Sequence, residues 1–206
     1  MKKTIIFDWS GTLSDNFSSF CQVCDLMFLE FGKPSISQEE IRLNFTLPYM
    51  KFWNKYFPDL SKDDQCVLYE KFIHQVDEAS LYNNVLKTVN DIYKAGWQII
   101  ILSSDPYSKL THETQQSGFS NLLLKVVGNI HDKGIEIKSL IKEFDLDKEC
   151  TLYVGDTSGD VEAGKFADIK TAGISWGFQH KDVLLKSNPD FLIDDIVELN
   201  NILKKI

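Results

Sequence analysis

The chain has 206 residues, of which 43% are hydrophobic and 25% charged, enough for one good core and a smaller appended unit. A formal net charge of -8 and a pI near 5.0 argue against a nucleic-acid or anionic-membrane surface, which needs a basic patch to offset phosphate repulsion. A small anionic substrate stays open, because a few lysines and a metal can invert the field inside one cleft.

Lys2 and Lys3 precede a run of only four residues, too short for a signal-peptide core, and no window approaches a membrane span, so a cytoplasmic protein is expected. That run, residues 4–7, predicts a buried strand that delivers Asp8 at its end, and Gly11 and Thr12 turn the chain at once. A carboxylate at the carboxyl end of a strand is where α/β folds place their chemistry.

Residues 16–82 carry no strand signal. Phe17, Phe20, Cys24, Met27 and Phe31 recur at helical spacing and predict a helix ended by Gly32 and Pro34. Tyr49, Phe52, Trp53 and Tyr56 make a second stripe, and Tyr69, Phe72, Ile73 and Val76 a third. Cys21 and Cys24 form a C-x-x-C within the first helix, but no second pair supplies further ligands, so they read as reduced thiols, buried or half-buried.

Beyond this block, strand and helix alternate. Helices are expected at 85–95, 106–117, through 166 after a turn that follows 154, at 181–186 and in a last stretch to 205, and strands at 97–102, 122–127, 151–154, 169–174 and 191–193. Near-continuous apolar strands separated by helices imply a parallel sheet buried on both faces, a doubly wound α/β core. The helical block reads as an inserted cap domain over 16–82, leaving 1–15 and 83–206 as the core.

Three further fragments fall just past strand ends. Ser103 and Ser104 offer a hydroxyl and backbone N–H for a phosphate oxygen, or a helix cap. Lys133 could neutralise a transferring phosphoryl group, with Lys138 a rival. Gly155-Asp156-Thr157-Ser158-Gly159-Asp160 puts two carboxylates four apart in a Gly-rich turn, a hard-oxygen set of the kind Mg²⁺ favours.

Together these fragments resemble the four signatures of the haloacid dehalogenase superfamily, in their expected order: residues 8–12, Ser103, Lys133 and residues 155–160. The tail Thr171-Ala172-Gly173-Ile174-Ser175-Trp176-Gly177-Phe178, followed by Pro189-Asp190-Phe191, looks like phosphoglycolate-phosphatase-like members. The resemblance implies a Rossmann-like core with a C1-type helical cap. It also implies an Mg²⁺-dependent phosphatase of small phosphorylated metabolites. Asp8 would be the nucleophile, forming an aspartyl-phosphate. Asp8, the Ser10 carbonyl and Asp156, with Asp160 behind them, would hold the metal, and Ser103, Ser104 and Lys133 the phosphoryl oxygens.

The family's phosphatases carry an acid/base Asp two residues after the nucleophile; Ser10 stands there in this chain. General acid–base catalysis contributes about 10²–10⁴-fold, and a hydroxyl supplies it poorly. His131 and Asp15 are candidates to supply the proton. Phe7-Asp8-Trp9-Ser10-Gly11-Thr12 is also close to the phosphonatase string Asp-Trp-Ala-Gly-Thr, in which a cap lysine, here Lys51, forms a Schiff base. A catalytically silent phosphate-binding module is the third reading, behind phosphatase and phosphonatase.

Overall fold

The computed structural model describes residues 2–77 and 79–206. The chain begins with β1 (Thr4–Phe7) and the two-residue β2 (Ser14–Asp15). Four helices follow, α1 (Phe17–Glu30), α2 (Gln38–Asn44), α3 (Met50–Tyr56) and α4 (Lys62–Ile73), and β3 (Ser80–Leu81) returns the chain. Next come α5 (Val85–Lys94), β4 (Gln98–Leu102), α6 (Tyr107–Gln116), β5 (Lys125–Val127) and α7 (Lys133–Phe144). β6 (Thr151–Gly155), α8 (Ser158–Phe166), β7 (Lys170–Ile174), α9 (Lys181–Lys186), β8 (Phe191–Ile193) and α10 (Leu199–Ile202) complete it.

Six strands form one parallel sheet in the order β5-β4-β1-β6-β7-β8. The chain winds outward from β1 through β4 to β5, then crosses back to β6 and winds the other way. This is the doubly wound α/β architecture, with helices on both faces. Side chains alternate across each strand. Ile5 and Phe7 join Ile99 and Ile101 against α5, α6 and α10, while Ile6 joins Ile100, Leu102 and Tyr153 against α7 and α8. Fully burying one such side chain stabilises by about 1.5–3 kcal/mol. The carboxyl ends of β1, β4 and β6 are thereby held at one edge, with Phe7 opposite both Ile101 and Val154.

The helical block packs around its own apolar cluster of Phe20, Met27, Phe52, Trp53 and neighbours. β2 and β3 pair antiparallel at its base, a ribbon that hydropathy did not reveal because each strand has two residues. One core residue reaches into this cluster. The Phe178 ring stacks on Phe20 at 5.1 Å and meets Phe17 and Phe45 edge-on.

Further elements differ from the sequence reading. Neither α2 nor α7 is expected from it, although Ser37 caps α2 by accepting from Glu40 N–H, Asp132 caps α7 by accepting from Ile135 N–H, and Ile137 and Leu140 are buried. The apolar run at 122–127 yields a strand only over Lys125–Val127, because Leu122 and Leu123 pack on the core from a turn.

Candidate active site

Asp8 lies one residue beyond β1 and continues its ladder, donating its N–H to the Val154 carbonyl at 2.9 Å. Ser103 does the same past β4, donating to Val127 at 2.9 Å. Asp156 follows β6, the strand on the other side of β1. Adjacency in the sheet thus brings together carboxylates nearly 150 positions apart. Lys133, at the start of α7, reaches Asp8 Oδ1 at 2.8 Å and Asp160 Oδ1 at 2.7 Å. Lys138 sits one turn further on with its ammonium over the Phe166 ring, away from these groups.

Asp8, Asp156 and Asp160 are all buried, with ligand oxygens within 4.8 Å of one another. Three buried carboxylates therefore gather near the Lys133 ammonium, two of them in contact with it. Burial, reinforced by the charge of Asp160, outweighs Lys133 and pushes the Asp8 carboxyl up to about 7. Burial and the charges of Asp8 and Asp160 raise Asp156 well above the carboxylate range. Lys133 overcomes its own burial and is held protonated by Asp160 and Asp8. This uncompensated negative charge fits a divalent cation with oxygen ligands.

The carboxylates are not equivalent. Asp160 Oδ1 accepts from Lys133 and Tyr153, and its Oδ2 accepts from the N–H and hydroxyl of Thr157 in a capping box. Four donors occupy its acceptor sites. Asp156 accepts the Phe178 N–H at Oδ2, 2.6 Å. Gly11 makes room for that oxygen: with φ +74, it lies so close that a Cβ there would stand 2.4 Å from Asp156 Oδ2.

Ser10 belongs to a network that the sequence reading missed. Its hydroxyl donates to Asp105 Oδ2 at 2.5 Å and accepts from Asn16 Nδ2 at 2.7 Å. The same Asp105 oxygen accepts the Ser103 hydroxyl at 2.8 Å, and Asp105 Oδ1 pairs with Lys109 at 3.1 Å. Burial would raise the Asp105 carboxyl, but Lys109 and the hydroxyls of Ser10 and Ser103 hold it below its ordinary value. Lys109 also pairs with Glu113, which accepts the Trp9 indole N–H at 2.6 Å. Only the adjacency of β4 and β1, which sets residues 103–105 beside residues 8–10, could have signalled this contact.

Among the described residues, neither Asp15 nor His131 bonds to Asp8 or Ser10. Asp15 is exposed on β2, and His131 sits 2.5 Å from Lys62 beside Tyr49. Ser104 is half-buried beside Ser103. Lys51 is exposed, because α3 turns Phe52 and Trp53 inward. Cys21 and Cys24 are both buried in the helical block. No described helix is long and apolar enough to cross a membrane.

Residues 5–174 match the family model of haloacid dehalogenase-like hydrolases. The chain is 24% identical to a phosphoglycolate phosphatase of Vibrio parahaemolyticus, over 96% of this chain and 94% of that one. It is 23% identical to the pyrophosphatase PpaX of Listeria monocytogenes, over 95% and 94%. A haloacid dehalogenase-like hydrolase from Streptococcus pneumoniae superposes with a TM-score of 0.81 at 19% identity, covering 98% of each chain.

Proposed function

This chain belongs to the haloacid dehalogenase-like hydrolases and is a phosphatase of that family; from that premise we propose that it is an Mg²⁺-dependent phosphomonoesterase of small phosphorylated metabolites, such as phosphoglycolate, working through an aspartyl-phosphate at Asp8. The observation that carries this reading is the Asp8 carboxylate at the end of β1, held 2.8 Å from the buried Lys133 ammonium and backed by Asp156.

Asp8 and Asp156, with the Ser10 carbonyl, are the residues to hold Mg²⁺, which when bound would neutralise charge on the phosphoryl group. Asp8 attacks phosphorus and the ester oxygen leaves, so one difficult displacement becomes two easier ones. Lys133 keeps the nucleophile oriented and offsets charge on the transferring oxygens. Ser103 and Ser104, at the end of β4, are placed to bind those oxygens. Asp160 positions Lys133 through their 2.7 Å contact. The helical block over 16–82 acts as the cap that shields the site and selects the substrate, with Phe178 as its docking point.

A panel of phosphate esters and phosphonates with Mg²⁺ tests this. Phosphate release from an aryl phosphate is expected, and Asp8→Asn should abolish it. Persistence of turnover in Asp8→Asn would refute the nucleophile, and no turnover across the panel would refute the phosphatase.

A further inference from the structure

We propose that Asp105 supplies the carboxylate that position 10 lacks: acting through the Ser10 hydroxyl, it receives the proton of the water that hydrolyses the phosphorylated Asp8. The inference rests on the aspartyl-phosphate reading above and deepens it.

The geometry defines each hydrogen. Gly11 N–H donates to Asn16 Oδ1 at 2.9 Å, so the other end of that amide, Nδ2, must be the donor to Ser10. A hydroxyl has one proton and two lone pairs. With one lone pair taken by Asn16, the Ser10 proton points to Asp105 Oδ2 and a single lone pair remains. That lone pair belongs to the residue two positions beyond Asp8, on the same turn. Asp105 is itself fixed, its side chain 11% exposed, by Lys109 at one oxygen and Ser103 at the other. The ion pair continues through Glu113 to Trp9, between Asp8 and Ser10 in the chain. A carboxylate from the loop after β4 is thus anchored to the turn after β1 directly through Ser10 and, by way of Lys109 and Glu113, through Trp9.

In the step, the water oxygen bonds to phosphorus as the bond from phosphorus to Asp8 breaks, returning its electron pair to the Asp8 carboxylate. The water proton passes to Ser10 Oγ while the Ser10 proton passes to Asp105 Oδ2. Inorganic phosphate leaves, and Asp105 later releases its proton to solvent. Ser10 touches the water; Asp105 acts through it and is a positioning residue.

Rapid-mixing kinetics with p-nitrophenyl phosphate and Mg²⁺ test this in the full chain. Asp105→Asn should give a burst of about one nitrophenol per enzyme, then a steady state slower than wild type by the roughly 10²–10⁴-fold that general base catalysis contributes. Ser10→Ala removes the bridge and leaves the Asp105–Lys109 pair in place, so it should show the same burst even if Asp105→Asn folds poorly. The double variant Ser10→Asp/Asp105→Asn, with the carboxylate back on the first turn, should recover at least tenfold. A structural role would slow both steps together, with no burst and no rescue. Wild-type turnover in the single variants, or loss without burst or rescue, overturns the inference. If Asp8→Asn still turns over, the reading beneath it fails instead.

Discussion

Gly11 and Gly118 give a paired test of how the site is packed. Both have positive φ, +74 and +80, but a Cβ on Gly118 meets nothing within 4 Å, whereas one on Gly11 falls 2.4 Å from Asp156 Oδ2 and 2.8 Å from the Phe178 ring. Forcing alanine into the left-handed region costs about 1–2 kcal/mol, partly offset by about 0.4–1 kcal/mol of lost freedom in the unfolded chain. Gly118→Ala should therefore cost roughly 1 kcal/mol, a fall in Tm of about 2–4 °C for a chain of this size. Gly11→Ala adds overpacking worth about 1–3 kcal/mol, so its total is about 2–4 kcal/mol and its Tm falls by roughly 5–15 °C. The larger consequence is functional. Relief of the clash must move Asp156 or Phe178, so phosphate release by Gly11→Ala should drop at least tenfold while Gly118→Ala keeps wild-type turnover. Thermal melts and a phosphate-release assay on both variants measure this. Equal melting and equal activity in the two would refute the tight packing of Asp156 against the first turn.

Two further outcomes are expected. Lys133→Met leaves Asp8 and Asp160 without their shared cation, and breaking a buried pair costs about 3–5 kcal/mol; the variant should melt lower than wild type in chelator, regain more on adding Mg²⁺, and lose turnover, whereas an unchanged melt would show that Lys133 does not offset these charges. Phe178→Ala removes a ring packed among Phe17, Phe20 and Phe45 and should cost about 3–5 kcal/mol in urea titrations, with KM rising as the helical block loosens on the core; a variant as stable as wild type would mean that this aromatic contact does not join the two.

Much of the architecture is legible in the chain because it rests on local patterns. Continuous apolar runs such as residues 99–102 mark strands buried on both faces, and apolar stripes such as Phe17, Phe20, Cys24 and Met27 mark helices. Asp8, Ser103 and Asp156 could be read as candidate site residues because each ends a strand, where this topology collects its chemistry. Elements whose signal is shorter or less local escape such reading. β2 and β3 have two residues each and exist only by pairing with one another. Phe178 looks like one more apolar residue after β7, yet its ring packs into the helical cluster while its N–H holds Asp156.

Asp105 shows the same limit at a single group. Between Ser104 and Pro106 it reads as an ordinary turn residue, because Asp before Pro favours a turn whatever its side chain does. Its importance comes from a partner 95 positions away, made a neighbour by the pairing of β4 with β1. A serine at position 10 is therefore only half of a local description. A carboxylate there would point at Asp105 across the 2.5 Å that the hydroxyl now bridges, and two carboxylates cannot both stay ionised at that distance. The Ser10 hydroxyl, as a donor, thus matches the Asp105 carboxylate it contacts, and Ser10→Asp should help only when Asp105 is also neutralised.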